Sequence, residues 1–159
     1  MRGERGSVSA TLALTFPVLL VAVSLVTDAG VAVWARAVAQ ASADLAALAA
    51  VQEIDLDRLA RGERSLVEGA AVARARAVAI DNLNRAVAGL GPIFEVSVDV
   101  CVYNPESGGT VVHQRDGRRL RDPTVCVTTG LQATVPSLAA GWRRIAVSAH
   151  ADASVVEKK

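Results

Sequence analysis

The sequence predicts an α+β protein, in which a long N-terminal helix leads into a second helix and then an antiparallel sheet of about three to five strands. Residues 7–27 form an apolar run without a charged side chain. Farther on, apolar residues recur every three or four positions up to about residue 90, a spacing typical of helices. From Phe94 the spacing changes to two, which is typical of half-buried strands. Helices on one face of the sheet are therefore expected.

The apolar run at residues 7–27 is long enough to span a bilayer as one helix. Arg2 and Arg5 precede it, and the positive-inside rule then places the N-terminus in the cytoplasm. A cleaved secretory signal is the alternative. Signal cores are usually about 7 to 15 residues long, and no A-x-A site closes this run. We therefore expect a single-pass anchor in the cytoplasmic membrane that holds the rest of the chain outside, with the cell surface as a further location.

The predicted helix does not stop at the membrane boundary, because the sequence after Asp28 is rich in alanine and has no proline as far as Val51. Arg36, Gln40 and Asp44 follow one another at intervals of four and form one polar stripe. A continuous helix over residues 7–51 would be about 67 Å long, twice the hydrocarbon thickness. Its apolar outer half needs a partner to cover it.

The remainder divides into a charged connection and one small domain. The expected divisions are a cytoplasmic N-terminus at 1–6, the membrane helix and its extension at 7–51, the connection at 52–64 and an extracytoplasmic α+β domain at 65–159. A short helical turn and a break at Gly62 are expected in the connection. Ser65 and Glu68 have the spacing of a capping box. The apolar face of the second helix is predicted to consist of Leu66, Ala70, Ala73, Ala77, Ile80, Leu83, Val87 and Leu90, with Gly89, Gly91 and Pro92 ending it.

The predicted sheet begins with residues 94–103, where Phe94 and alternate valines face one way and polar residues the other. A hairpin around Asp116 and Gly117 follows, then one or two strands interrupted at Gly130. Residues 143–156 form the last strand, whose small inward side chains allow a helix to approach closely. Arginines that rim the hairpin are Arg115, Arg118, Arg119 and Arg121.

No catalytic or metal constellation is expected. His113 and His150 are isolated on predicted strands, without a cysteine or carboxylate at metal-ligand spacing, so each is expected to face solvent or a hydrogen-bond partner. No serine has a G-x-S-x-G context, and no glycine cluster forms a phosphate loop. The net charge of +1 and low aromatic content do not favour nucleic acid. We expect no enzyme, no cofactor and no small-molecule substrate.

The chain has two cysteines, Cys101 and Cys126, which lie in predicted strands on the face opposite the valines. Because the expected compartment is oxidising, a disulfide is predicted between them. Closing the loop would stabilise the domain by about 3 to 4 kcal/mol in the chain-entropy model. A pair of free, buried thiols is the alternative.

The first third of the chain resembles the TadE/TadG-like proteins of the tight-adherence (Flp) pilus-assembly system. The resemblance is carried by ERGSVSATLALTFPVLL, then DAG, then QASADLAALAA. The matching positions are Arg5, Gly6, Pro17, Asp28, Gly30 and Gln40 through Ala50 with Asp44. The resemblance implies a pilin-like fold and a minor pilin or accessory subunit of a Flp/Tad-type pilus or secretion apparatus. Membrane lipid and other subunits would be its partners in a hetero-oligomer, with Ala47 and Leu48 among the helix-interface positions.

One departure from the family pattern concerns processing. The cut that pilin-like members undergo would fall between Gly6 and Ser7, which places Thr11 where those members carry glutamate. Threonine cannot neutralise a buried ammonium group, so an uncleaved accessory subunit is expected. An anchored or secreted module that binds an extracellular ligand through the arginine-rimmed sheet edge is the alternative function.

Overall fold

The computed structural model describes residues 4–88, 94–106, 108–137 and 141–156. Its helices are α1 (Glu4–Ala50), α2 (Leu56–Leu59) and α3 (Glu68–Val87). Its strands are β1 (Phe94–Tyr103), β2 (Val111–Val112), β3 (Arg119–Leu120), β4 (Thr124–Ser137) and β5 (Gly141–Ser154). The helices precede an antiparallel three-stranded sheet and a two-stranded hairpin, which confirms the predicted α+β fold.

Helix α1 is continuous over 47 residues and passes through Pro17, as the sequence predicted. Pro17 has no backbone N–H to donate within the helix. Nearby hydroxyls are satisfied locally: Thr15 Oγ1 donates to the Thr11 carbonyl at 2.8 Å, and Thr27 Oγ1 donates to the Val23 carbonyl at 2.9 Å. Such back-bonding allows a hydroxyl to lie in an apolar environment, because its donor is occupied by the backbone.

The two halves of α1 have opposite surroundings. The first half exposes its large apolar side chains, which are Leu12, Leu14, Phe16, Val18, Leu19, Leu20, Val21, Val23, Leu25 and Val26. The second half buries small residues on one face, which are Ala35, Ala39, Ser42, Ala43, Ala46, Ala47 and Ala50. Only the second half is therefore part of the protein core.

The connection after α1 contains the short helix α2 and the break at Gly62, both as predicted. Asp55 caps α2, since its Oδ1 accepts a hydrogen bond from the Arg58 backbone N–H at 3.0 Å. Gly62 has a φ of +79°, a left-handed conformation that favours glycine.

The predicted capping box at the start of α3 is wrong. Helix α3 begins at Glu68, its cap residue is Val67, and no side chain caps it. Ser65 instead lies in an extended segment, where its carbonyl accepts a hydrogen bond from the Asp55 N–H at 2.9 Å and Leu66 pairs with Ile54. A long-range backbone pairing has thus replaced the local cap.

The predicted apolar face of α3 is wrong at Ala73, Ala77 and Ile80. Leu66 and Leu83 are buried as predicted, and Ala70 and Val87 are half-buried. The buried residues of α3 are Ala71, Ala75, Ala79 and Leu83. Ala73, Ala77 and Ile80 are exposed, so the buried face is rotated relative to the prediction. Alanines spaced by four let α3 pack closely on the alanine face of α1, whereas Ile80 would hold the helices apart. Gly89, Leu90, Gly91 and Pro92 lie outside the described residues.

The main sheet has the order β1-β4-β5, with both pairs antiparallel. The central strand β4 is unbroken, so the predicted interruption at Gly130 is wrong. Gly130 pairs with Ser97 on one side and Ser148 on the other. A Cβ at Gly130 would lie 2.3 Å from Ser97 Oγ, so the glycine leaves room for that hydroxyl within a regular ladder.

One face of the sheet packs on α1 and α3, and this confirms the predicted alternation of β1 and β5. Sheet residues in this core are Val98, Val100, Val102, Val125, Val127, Ala151 and Ala153. The other face is partly covered by the β2–β3 hairpin, where Tyr103, Leu120 and Cys126 form a second small core with Cys101 and Val111. The hairpin was predicted, but its position over the sheet was not.

Candidate functional site

The outer half of α1 is fixed to the sheet by two polar contacts. Thr129 Oγ1 donates to the Ala39 carbonyl at 2.9 Å in a fully buried contact. Gln40 Nε2 lies 3.0 Å from the His150 carbonyl and 2.9 Å from Asp44 Oδ1, and donates to both. Gln40 thus connects the predicted polar stripe to β5, while Arg36 and Asp44 of the same stripe are exposed.

The opposite side of α1 carries an exposed stripe of apolar and small residues, which we call the outer stripe. It consists of Gly30, Val33, Ala37, Ala41 and Leu48, with exposed fractions of 71% for Val33 and 55% for Leu48. The exposed Asp44 lies on the same face between Ala41 and Leu48, so one charge interrupts the stripe. A Cβ at Gly30 would have no atom within 4 Å, so no contact with the described residues requires this glycine. Of the two predicted interface positions, Leu48 lies on the outer stripe, but Ala47 is 1% exposed and belongs to the core.

The remaining motif positions lie farther toward the N-terminus of α1. Asp28 is mostly buried and its Oδ2 lies 3.9 Å from Arg143 Nη1 of β5. The start of β5 therefore lies beside the end of the apolar run. Thr11 and Pro17 are on the exposed first half, and Gly6 and Ser7 lie in its first turns.

A polar cluster lies on the sheet face that points away from the helices. It contains His113, Cys126, His150 and Asp152, whose potential ligand atoms all lie within 4.8 Å of one another. The prediction that the two histidines are isolated from such groups is therefore wrong. Strand register places Asp152 opposite Cys126, and the hairpin carries His113 over them.

Both histidines are hydrogen-bonded through Nδ1. His113 Nδ1 lies 2.7 Å from Asp116 Oδ1, and His150 Nδ1 lies 3.0 Å from Thr128 Oγ1. The hydrogen bonds agree with the sequence prediction, but His113 is 1% exposed. His113 and Cys126 are buried, His150 is half-buried and Asp152 is exposed, so the cluster lies at the edge of the hairpin and is partly open to solvent.

Arg118 joins the two carboxylates beside the histidines. Its Nε lies 3.0 Å from Asp116 Oδ2, and its Nη2 donates to Asp152 Oδ2. The Arg118 backbone N–H also donates to Asp116 Oδ1, which lowers the pKa of the Asp116 carboxyl, and the hydrogen bond from His113 adds to this effect. The bond to Asp152 raises the pKa of Arg118. Arg115, Arg119 and Arg121 are exposed. Within the predicted arginine rim, it is therefore Arg118 that forms ion pairs inside the domain.

Cys101 and Cys126 lie directly opposite each other on β1 and β4, and both thiols are free in the structure. Opposite residues of an antiparallel pair have Cα separations of about 4.5 to 5.5 Å, within the range for disulfides. Burial raises the pKa of Cys126 to about 12, with a smaller contribution from the adjacent Cys101 thiol. The disulfide stays a prediction.

Sequence reasoning missed the polar cluster because its members come from three distant segments. One signal was present: His150 and Asp152 are two residues apart, which places both on the same face of a strand. No short sequence pattern indicates that the hairpin folds over this face of the sheet and brings His113 to it.

Comparison with known proteins gives one match. No curated protein and no solved structure matches the chain. The family model of TadE/G-like Flp pilus assembly matches residues 6–53. This segment contains nearly all of α1, from its first turns to the buried alanine face. The resemblance predicted for the first third of the sequence is thereby confirmed: residues 6–53 of this chain are similar to the TadE/G-like Flp pilus-assembly family.

Proposed function

We propose that this protein is a membrane-anchored, non-enzymatic accessory subunit or minor pilin of a Flp/Tad-type pilus or secretion apparatus. The observation that carries the proposal is the division of α1 within the family match. Residues 6–53 contain both an apolar segment with exposed side chains and an alanine face buried against the sheet.

The first half of α1 supports the anchor. In the part of the chain that the structure describes, one helix is long and apolar enough to cross a membrane, and it lies near the N-terminus. Leu19 is 62% exposed and Val26 is 72% exposed, so the described part of the chain does not cover these side chains. Such a surface is stable in lipid, where the exposed hydrocarbon favours insertion.

We propose that residues 1–6 lie in the cytoplasm, that 7–27 cross the membrane and that the domain at 65–159 lies outside. Arg2 and Arg5 support this orientation through the positive-inside rule. The connection at 52–64 then lies outside as well. In that compartment a Cys101–Cys126 disulfide is a proposed state of the domain, supported by the opposed positions of the two thiols.

The outer stripe supports an assembly role. Val33 and Leu48 are exposed beyond the apolar run, and Gly30 lies one turn before Val33. No contact with the described residues requires a glycine there. Small residues let helices approach closely, and large apolar residues beside them bury area on contact. We therefore propose that other pilus subunits pack on the outer stripe in a hetero-oligomer.

The junction between Gly6 and Ser7 is expected to remain uncut in most copies of the protein. Thr11 replaces the glutamate that would pair with a new amino terminus inside the membrane, and an unpaired charge there costs several kcal/mol. The mass of the purified protein should retain residues 1–6. A mature N-terminus at Ser7 would contradict this expectation, and Thr11→Glu should then increase incorporation into filaments.

Photo-cross-linking tests the proposed assembly role. A photoreactive amino acid at Ala41, on the outer stripe, is expected to form adducts with other pilus subunits in cells that assemble a Flp pilus. The same amino acid at Arg74, an exposed position of α3, is the matched control. Adducts with pilus subunits that form at Ala41 and not at Arg74 would support the proposal. Equal yields at the two positions would contradict it.

A further inference from the structure

We propose that the polar cluster beneath the hairpin is a metal site that binds one Zn²⁺ through His113, Cys126, His150 and Asp152. This inference goes beyond the pilus-associated function, because it concerns the sheet face away from α1. It rests on the geometry of these four residues, on two buried nitrogen atoms and on the surrounding hydrogen bonds.

The four side chains converge on one point. His113 Nε2 lies 3.5 Å from Asp152 Oδ1, and His150 Nε2 lies 2.9 Å from the same oxygen. All four ligand atoms lie within 4.8 Å of one another. Tetrahedral zinc sites have bonds of about 2.0 to 2.3 Å, which place neighbouring ligand atoms about 3.3 to 3.8 Å apart. Side-chain shifts of about 1 Å would therefore close the site around an ion.

The two Nε2 atoms need a partner. Each has less than 1 Å² of exposed surface, and within the described residues neither forms a hydrogen bond. Their approaches to Asp152 Oδ1 are close enough but are not directed as hydrogen bonds. Buried polar atoms are almost always satisfied, and a neutral imidazole nitrogen that is not protonated is an acceptor or a metal ligand. An ion between the four residues would satisfy both nitrogens at once.

Hydrogen bonds that orient the ligand side chains are already present. Asp116 Oδ1 accepts a hydrogen bond from His113 Nδ1 and Thr128 Oγ1 can accept one from His150 Nδ1, and in the neutral tautomer that fits these bonds Nε2 carries the lone pair. Arg118 holds Asp152 through Oδ2 and leaves Oδ1 free for the ion. Metal-binding histidines almost always donate their second nitrogen to such a partner, which fixes the ring and its tautomer.

The set of donor atoms indicates zinc. Two imidazole nitrogens, one soft thiolate and one hard carboxylate form a mixed set of nitrogen, sulfur and oxygen ligands that Zn²⁺ accepts, and four protein ligands are typical of a closed, structural Zn²⁺ site. Cys126 and Asp152 supply two negative charges, which balance the charge of the ion. Cysteine binds zinc as the thiolate, so the proton of the Cys126 thiol passes to the buffer as the bond between sulfur and zinc forms.

The zinc site and the Cys101–Cys126 disulfide exclude each other, because both use Cys126 Sγ. A zinc-loaded chain is therefore expected to keep Cys126 reduced. Cys101 lies opposite Cys126 but is not among the ligands, so its removal should leave zinc binding intact.

The test is zinc binding by the reduced, full-length protein in detergent, after chelator treatment and without any other ligand. Competition with a chromophoric chelator should give one Zn²⁺ per chain, with a dissociation constant on the order of 10⁻⁸ M or lower. Co²⁺ in place of Zn²⁺ should give the visible absorption of a tetrahedral ion together with a charge-transfer band from the thiolate. Cys126→Ser should remove that band, and His150→Ala should weaken binding at least 100-fold.

Matched controls separate the site from surface binding. Cys101→Ser and Asp99→Asn change neighbours on the same sheet face and should bind Zn²⁺ like the wild type. Asp116→Asn should weaken binding about 10- to 100-fold by releasing the His113 ring. Circular dichroism would show which variants remain folded. The wild-type measurements need no variant: failure to retain one Zn²⁺, or a Co²⁺ spectrum without tetrahedral and thiolate bands, would overturn the proposal.

Discussion

Replacing Ala47 by glutamate is expected to destabilise the C-terminal domain strongly, whereas the same replacement at Leu48 should leave its stability unchanged. Ala47 is 1% exposed and packs in the core with Ala43, Ala50 and Val127. A carboxylate there would be buried without a partner, and its side chain would have no space. The expected loss is about 3 to 5 kcal/mol or more, against a total stability of about 5 to 15 kcal/mol for a small domain.

Thermal unfolding and limited proteolysis of the full chain in detergent would measure this difference. Leu48 is the matched control, because it neighbours Ala47 on the same helix but is 55% exposed. Leu48→Glu should melt like the wild type and lose only contacts made with other subunits. Equal stability of the Ala47→Glu and wild-type domains would show that the outer half of α1 does not form the core.

Leu19→Arg is expected to prevent stable membrane insertion in most copies of the protein. Arginine near the centre of a membrane helix costs about 2.5 to 3.5 kcal/mol, and the favourable term for leucine is lost as well. The substitution should therefore lower the equilibrium constant for membrane insertion roughly 100-fold. Leu19 is 62% exposed, so the substitution removes no packing within the protein.

The measurement is the fraction of protein that stays in membranes after alkaline extraction. Leu48→Arg is the control, because it places the same charge on the same helix outside the apolar run and should leave this fraction unchanged. If Leu19→Arg also stayed in the membrane fraction like the wild type, lipid would not be the environment of that side chain.

Local sequence patterns were sufficient to predict those helices and strands whose apolar residues recur at one constant spacing. The alternating valines of β1 and the small residues of β5 predicted strands with the observed inward faces. The alanine-rich sequence after Asp28 predicted the continuation of α1, because alanine has the highest helix propensity.

Nonlocal contacts explain where prediction from the sequence was wrong. Ile80 is more apolar than Ala79, yet Ala79 is buried, because the alanine face of α1 accepts only small side chains at close range. Gly130 does not break β4, because its missing side chain makes room for Ser97 on the next strand. The histidine cluster depends on the position of the hairpin over the sheet, which neither local period nor spacing specifies.

The most direct test of the proposed architecture is a pair of reporter fusions after Lys159, made in the full chain. One reporter is active only in the cytoplasm, and the other is active only outside the cytoplasmic membrane. Because α1 contains an apolar segment long enough to span a membrane, which follows Arg2 and Arg5, we expect the cytoplasmic reporter to be silent and the external reporter to be active. Activity of the cytoplasmic reporter, with the external one silent, would contradict the account.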